Sequence, residues 1–206
     1  LRRQRQMCIR DSLWINAAEV AFLKAEYELR WGTKDAAKAL YEQAIRLSFE
    51  DKGAKDADAY IADKTRKPAA YNDPLGNYSA TALSSITIAW EDDSAEGADK
   101  AAIKERNLER IITQKWIAIF PLGVEAWSEH RRTGYPRLLP AVEDKSGGTV
   151  DLAQGARRLP YPVEEYDKNN ANLQDAVQML NSESQGSRKG DGMGTRVWWD
   201  VKPYNN

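Results

Sequence analysis

The feature that most constrains this fold is a pair of amphipathic segments that follow one another almost without a joint. In residues 12–32 the apolar side chains recur at three- and four-residue steps: Leu13, Ala17, Val20, Leu23, Tyr27 and Trp31. In residues 33–53 the same pattern is formed by Ala37, Leu40, Tyr41, Ala44 and Ile45. This spacing predicts two helices, which Gly32 and Gly53 are suited to end. Because the joint is so short, the two helices must pack antiparallel.

Small side chains at particular positions indicate which type of helical hairpin this is. Ala37, Tyr41 and Ala44 have the spacing of the second helix of a tetratricopeptide repeat, and Ala25 supplies the small residue of the first helix. Such side chains let two helices approach closely. One repeat cannot bury its own face and needs neighbours. Because no second copy follows at that period, we expect the neighbours in a preceding part of the protein.

The rest of the chain predicts more helices and a long irregular second half. The helical segments are residues 56–64, 80–92, 95–120, 123–134 and 169–181. Residues 65–79 carry two prolines, a glycine and Asn-Asp-Pro turn chemistry, and so predict a loop. Short strands are expected near 148–160 and 195–201. Trp14, Trp31 and Trp116 fall on apolar stripes and are expected in the core. The predicted fold class is therefore mainly α, a tetratricopeptide-like hairpin plus a loop-rich C-terminal region.

Composition and rare residues exclude several classes of function. Lys plus Arg number 30 against 31 Asp plus Glu, without the basic excess that is typical of nucleic-acid binders. Cys8 is the only cysteine and His130 the only histidine, so no cysteine-built or histidine-pair metal site can form. We expect no metal, no cofactor and no nucleic-acid partner. No apolar run approaches the ~18–20 residues that span a bilayer.

The first residues, LRRQRQMCIRDS, do not look like a signal peptide, because they contain no apolar core. The string MCIRDS is what one frame of a transposon-end adaptor used in sequencing libraries translates to. We therefore interpret residues 1–12 as not native. On this hypothesis the domains are the hairpin, residues 13–53, and a remainder, residues 54–206, while an N-terminal half is missing.

The stretch EAWSEHRRTGYPRLLP, residues 125–140, collects side chains that are common in catalytic sites. A catalytic interpretation would make His130 a general base, helped by Glu125 or Glu129. No nucleophile motif such as G-x-S-x-G accompanies it. We expect a structural role instead, with Trp127 in the core and the arginines bound to carboxylates or carbonyls.

Four segments in order resemble a known family. They are NAAEVAFLKAEYELRWG, ERIITQKWIAIFPLGVEAWSEHRRTGYPRLLP, RRLPYPVEEYDKNNANLQDAV and VWWDVKP. Together they look like the C-terminal half of a SusD/RagB-type outer-membrane lipoprotein. The resemblance implies a non-enzymatic, surface-exposed protein of a Bacteroidetes-type bacterium, held by a lipid anchor, with tetratricopeptide-like helices. It also implies capture of an oligosaccharide or peptide for a SusC-like TonB-dependent transporter. Against the family pattern, we expect the signal peptide, the anchoring cysteine and the N-terminal half to lie outside the given sequence.

Two places fit a glycan contact, which needs an exposed rigid aromatic ring beside polar groups. The loop of residues 65–79 brings together Tyr71, Asn72, Asp73, Asn77 and Tyr78. The alternative for this loop is a packed connector. The second place is Trp90, which precedes three acidic residues. The alternative interpretation of Trp90 is a buried residue at a helix end. The acidic residues could also form the carboxylate pair of a glycosidase or a Ca²⁺ site. Two rival functions stay open: a tetratricopeptide-type scaffold for a protein, and a glycoside hydrolase.

Overall fold

This computed structural model describes residues 14–183 and 190–200. Its helices are α1 Ala17–Trp31, α2 Lys34–Lys52, α3 Ala57–Ile61, α4 Lys100–Ala118, α5 Gly123–Thr133, α6 Val163–Lys168 and α7 Asn170–Glu183. Its strands are β1 Tyr71–Asn72 and β2 Ser79–Ala80. The predicted fold class, mainly α, is confirmed. The segment interpreted as adaptor-derived, residues 1–12, lies outside the described residues. Over the described ranges, none of the helices combines the length and the apolar character that a bilayer crossing needs.

The chain forms two compact units. Among the described residues, the first unit comprises 14–67 and Ile86–Trp127, and the second comprises Pro68–Ser85, 128–183 and 190–200. The first unit therefore contains the helical hairpin, α3 and α4. The second unit contains the two short strands, most of α5, and the helices α6 and α7.

In the first unit, α1 and α2 pack side by side, and α4 packs against both. The side-chain oxygen of Asn16 accepts the Glu19 N–H at 2.7 Å and so caps α1. Thr33 Oγ1 accepts the Ala36 N–H at 3.2 Å and caps α2. Gly53 ends α2 in the left-handed conformation, with φ at 65°. The predicted helical hairpin is confirmed, and its ends follow from ordinary capping chemistry.

The contact between α1 and α2 is lined by the small residues that the repeat pattern picked out. Ala25, Ala37 and Ala44 have no exposed surface. Tyr41 is also fully buried, and its ring meets Phe22 edge to face at a centroid distance of 6.3 Å. The small alanines let the two helices approach closely, and the rings of Phe22 and Tyr41 fill the space beside them.

The predicted core face of α1 is wrong. Its buried apolar side chains are those of Ala18, Ala21, Phe22, Ala25 and Leu29, next to the predicted stripe around the helix, and Glu19 and Glu26 are buried with them. The predicted stripe is exposed, with Val20 and Leu23 near two fifths and Trp31 at 72%. Both faces of α1 are apolar, so periodicity alone does not choose between them. The face with the smaller side chains lies against α2, because it permits the closer approach.

Three tryptophans that were expected in the core are exposed. Trp14 is 87% exposed, Trp31 lies on the outer face of α1, and Trp116 is also exposed. The residues buried on α4 are Ile103, Asn107, Leu108, Glu109, Arg110, Ile111, Ile112, Lys115 and Ala118. These three predictions are wrong: Trp31 and Trp116 lie beside the buried stripes of α1 and α4, and Trp14 precedes α1.

The predicted helix over residues 80–92 is also wrong, because the chain there is irregular beyond β2. Ile86 and Ile88 are buried in the first unit, and Tyr41 Oη donates to the Ile88 carbonyl at 2.7 Å. Arg110 Nε donates to the Thr87 carbonyl at 3.0 Å. Side chains of α2 and α4 therefore satisfy this backbone in place of helical hydrogen bonds.

In the second unit the expected strands near 148–160 and 195–201 do not form within the described residues. An isolated antiparallel bridge joins Asp151 and Gly155. The segment after residue 190 still packs on this region, since Arg157 N–H donates to the Met193 carbonyl at 2.7 Å. Gly194 N–H donates to the Thr149 carbonyl at 3.0 Å.

Two substitutions on α1 separate the buried face from the exposed one. In the 206-residue chain, Phe22→Ala removes a fully buried ring and should lower the free energy of unfolding by about 3–5 kcal/mol. Tyr27→Ala removes a largely exposed ring and should change it by less than about 1 kcal/mol. Urea denaturation followed by circular dichroism measures both. A loss at Tyr27 as large as that at Phe22 would contradict this assignment of faces.

Candidate functional site

The five candidate residues of the predicted loop lie together on one hairpin of the second unit. Strands β1 and β2 pair antiparallel, with Tyr71 opposite Ala80 and Asn72 opposite Ser79. The pairing continues by one bond, because Asp73 N–H donates to the Tyr78 carbonyl at 2.8 Å. The predicted loop is therefore an ordered turn between two very short strands.

Asp73 builds the turn of this hairpin. Its carboxylate oxygens accept the Leu75 N–H at 3.0 Å and the Asn77 N–H at 3.1 Å. Its own carbonyl accepts the Gly76 N–H at 2.9 Å, and Gly76 takes a φ of 74° that favours glycine. Such side-chain bonds to the following backbone are the usual reason for aspartate in turns. The Asp73 carboxylate is thus committed to holding the loop.

Tyr71 and Tyr78 form an aromatic pair on one face of the hairpin. Their ring centroids are 6.1 Å apart and the ring planes are inclined by 43°. Tyr71 is 45% exposed and Tyr78 is half-buried. The pair is thus an angled shelf with one side open to solvent, and each ring has a hydroxyl at its tip. We call these two rings the tyrosine shelf.

The two asparagines of the candidate site relate differently to the tyrosine shelf. Successive side chains of a strand alternate between faces, so the side chain of Asn72 points away from that of Tyr71. Asn77 directly precedes Tyr78 in the turn and is exposed. Each asparagine is thus adjacent to one ring along the chain, Asn72 to Tyr71 and Asn77 to Tyr78.

Trp90 lies in the first unit, in a different setting. Its indole is half-buried and its ring centroid is 5.5 Å from that of Tyr41. The exposed part of Trp90 lines a cavity of about 280 Å³. The other residues of this wall are Leu29, Gly32, Lys34, Asp35, Lys38, Glu91, Asp92, Asp93, Lys100, Ile103, Lys104 and Asn107.

The acidic residues after Trp90 have partners inside the first unit. Glu91 forms ion pairs with Arg106 and, at 3.1 Å, with Arg110. The hydrogen bond from Arg106 holds the pKa of Glu91 below its usual value. Asp93 pairs with Lys34, and the hydroxyl and N–H of Ser94 lower the pKa of Asp92. Within the described residues, no cluster of three or more metal-ligating side chains is arranged to hold an ion.

The residues of the stretch 125–140 make internal contacts in the second unit. Arg131 donates to the Arg157 carbonyl at 2.6 Å, and its guanidinium lies 4.6 Å from the Trp199 ring centroid. Arg132 pairs with Glu129 at 2.7 Å. His130 Nδ1 lies 3.0 Å from the Pro136 carbonyl oxygen. Because a carbonyl only accepts, a neutral His130 carries its proton on Nδ1. The expectation that these arginines bind carboxylates or carbonyls agrees with this arrangement.

Sequence reasoning missed two buried ion pairs of the second unit. Arg157 and Asp200 are both fully buried, with the guanidinium 3.3 Å from the carboxylate. Burial lowers the pKa of Arg157 to about 10 and raises the pKa of Asp200. Arg158 pairs with Asp191, whose carboxylate also accepts the Tyr161 N–H at 3.0 Å. Both arginines stand in the ARRLPYP segment, but nothing in its pattern showed that they would be buried.

The chain combines a mainly helical scaffold, with a tetratricopeptide-like hairpin, and a short β-hairpin that carries two tyrosines. The model of the SusD-like family, described as Susd and RagB outer membrane lipoprotein, matches residues 4–200. The chain belongs to this family, and the resemblance noted in its sequence is confirmed. No curated protein matches the chain.

Solved structures give the same relationship. A SusD homologue from Bacteroides thetaiotaomicron is 49% identical with a TM-score of 0.80, and the match covers 93% of this chain and 39% of that one. A SusD homologue from Bacteroides uniformis is 51% identical, with a TM-score of 0.76 and coverages of 92% and 37%. A chitin-binding SusD homologue from Flavobacterium johnsoniae is 41% identical, with a TM-score of 0.75 and coverages of 92% and 36%. The chain spans less than two fifths of the length of each of these structures.

His130 gives the second unit a predictable response to pH. Burial, and then the nearby Arg157 charge, lower the pKa of His130 below its usual 6.5. Below pH 6.5 the unfolded chain gains a proton that the folded chain resists, so the stability that is present above pH 6.5 is lost as the pH falls. The limiting slope for one proton is about 1.4 kcal/mol per pH unit.

The measurement is the free energy of unfolding between pH 7 and pH 5 for the wild type and for His130→Asn. Asparagine keeps a donor near the Pro136 carbonyl but does not titrate. We expect a flatter pH dependence in the variant, because His130 is the only histidine of the chain. The same slope in both proteins would show that another group titrates in this range.

Proposed function

We propose that this chain is part of a carbohydrate-capturing lipoprotein of the outer-membrane surface, and that the tyrosine shelf contacts the glycan. Membership of the SusD-like outer-membrane lipoprotein family supports the class of protein. A relative 41% identical to this chain is chitin-binding, which supports a saccharide ligand. The observation that carries the site is the pair of tyrosine rings on one turn, with Tyr71 exposed and Tyr78 half-buried.

The proposed mechanism is capture without a covalent step. The apolar C–H face of a pyranose stacks on an aromatic ring, while hydroxyls of the sugar bond to polar groups at the ring edges. Tyr71 offers the open ring, Tyr78 the inclined one, and Asn77 the adjacent amide. Asn72 reaches a sugar chain that extends round the edge of the hairpin. Asp73 supports the site by holding the turn, because rings fixed before binding lose little conformational entropy on binding.

Trp90 is proposed as a second contact, in the cavity of the first unit. Its ring rests on Tyr41, which keeps the indole in place, and its open part faces the cavity. The adjacent lysines and carboxylates supply polar groups. We assign no catalytic residue here. A glycoside hydrolase needs two carboxyl groups that flank the bond to be cleaved, whereas Glu91 and Asp93 are each engaged by a cation.

The proposed partner is a SusC-like TonB-dependent transporter, to which captured oligosaccharide passes, and the proposed location is the cell surface. Both proposals rest on family membership. One observation favours a second function, a scaffold for a protein. The outer face of α1 exposes Leu23, Tyr27 and Trp31 together, and contiguous exposed apolar side chains of this kind mark contact surfaces.

Removing the tyrosine shelf tests the proposed site. In the full-length protein, Tyr71→Ala with Tyr78→Ala should weaken glycan binding by about tenfold or more, since central aromatic contacts contribute most of the binding energy. The pair Tyr71→Phe with Tyr78→Phe keeps both rings and should retain most of the affinity. Leu75→Ala, at the exposed tip of the same turn, should bind normally. Isothermal titration after a glycan-array screen provides the measurement.

The outcomes of this test separate the candidate functions. Equal affinity in the double alanine variant, with its fold intact, would place the glycan elsewhere. Absence of any glycan ligand would favour a peptide or protein ligand. In that case Leu23→Glu with Tyr27→Glu, on the outer face of α1, is the variant to test for loss of partner binding.

Trp90 can be tested without removing its contact with Tyr41. Trp90→Phe retains an aromatic ring against Tyr41 but takes away the indole N–H and much of the surface towards the cavity. We expect glycan affinity to fall several-fold while the unfolding midpoint moves little. An unchanged affinity would restrict the proposed site to the tyrosine shelf.

A further inference from the structure

The charge content of the β1–β2 hairpin points to the chemical class of its ligand. Asp73 is the only charged residue between Pro68 and Ser85, and the other polar side chains there are amides and hydroxyls. We infer that the tyrosine shelf selects an uncharged oligosaccharide and discriminates against an acidic one. This inference rests on the proposed glycan capture and adds the substrate class to it.

The single charge of the hairpin lies on the same face as the rings. Asp73 stands two residues after Tyr71 and opposite Tyr78, to whose carbonyl its N–H donates. Side chains two positions apart on a strand share a face. A carboxylate or sulfate of a sugar on the tyrosine shelf would therefore meet a like charge, and like charges repel.

The hydrogen bonds that the Asp73 carboxylate accepts within the turn strengthen the discrimination against acidic ligands. Both of its oxygens already accept backbone N–H groups, those of Leu75 and Asn77. Rotating the side chain away from an acidic ligand would break the bonds that form the turn. The negative charge is thus held in place by the fold of the hairpin.

Solvation acts in the same direction. An anionic group that loses water needs a cation or several donors in compensation, and the hairpin carries no basic residue. Neutral hydroxyls lose less on leaving water, and the Asn77 amide and tyrosine hydroxyls can replace those bonds. The site therefore accommodates a neutral sugar at lower cost than an acidic one.

Matched pairs of ligands test the inference on the full-length protein. The probes are cellohexaose, maltohexaose and N-acetylated chitohexaose, each with its counterpart oxidised at C6 to the carboxylate. Each pair keeps linkage and length and differs in charge. We expect at least one neutral probe to bind, its oxidised counterpart to bind at least about tenfold more weakly, and Tyr71→Ala with Tyr78→Ala to abolish the difference.

A matched pair of variants locates the origin of the selectivity. Ala80→Lys places a cation on the face of the tyrosine shelf, because Ala80 pairs with Tyr71 and residues opposite each other in a ladder share a face. Ser79→Lys places the same charge on the opposite face of the hairpin, on an exposed side chain. The ratio of neutral to acidic affinity should fall about fivefold or more in Ala80→Lys. In Ser79→Lys it should stay close to the wild-type ratio.

The results distinguish this inference from the proposed function. Equal or tighter binding of oxidised probes, still lost in the double alanine variant, overturns the selectivity and leaves glycan capture at the shelf intact. Equal effects of the two lysine variants also overturn it, because the charge would then act non-specifically. Binding of no probe, or binding unaffected by the double alanine variant, overturns glycan capture at the hairpin and the inference with it.

Discussion

The hydrogen bond from the buried Tyr41 hydroxyl to the Ile88 carbonyl joins the helical part of the first unit to its irregular part. Tyr41 belongs to the tight helical hairpin, whereas Ile88 belongs to an irregular segment. A buried tyrosine hydroxyl must find a partner, and burial raises the pKa of Tyr41 well above its ordinary value. The phenol therefore stays protonated and able to donate. The ring of Tyr41 also supports Trp90, so the wall of the cavity depends on the same side chain.

Much of the helical architecture was predictable, because local signals and tertiary packing agree there. The hairpin, α3, α4, α5 and α7 all form where periodicity and capping predicted helices. The structural predictions were wrong where the local sequence pattern fits two different structures. α1 is apolar on both faces, and only its partner decides which is buried. The segment 80–92 had helical and extended features, and the groups that decided it, Tyr41 and Arg110, lie far away in the sequence.

The candidate site was also predictable only in part. Turn chemistry in residues 65–79 indicated a loop with clustered tyrosines and asparagines, and these residues do lie on one ordered turn. Its register was not predictable from the sequence, and register decides that Asn72 faces away from the shelf. The buried pair Arg157–Asp200 was not predictable either, because the two residues are brought together only by the fold. Buried charges of this kind are costly unless they are paired, so removal of either partner alone would destabilise the second unit.

One residue, Asp73, connects the geometry of the proposed site with its selectivity. Its carboxylate accepts two backbone N–H groups and thereby holds the turn that carries the two rings. Replacement by a neutral asparagine would remove the charge but also supply fewer accepting oxygens, since an amide has one where a carboxylate has two. The charge is therefore a consequence of building the turn, not a feature added for binding. An aromatic shelf made in this way is negative at its edge, and for this reason its preference for neutral ligands follows from the turn itself.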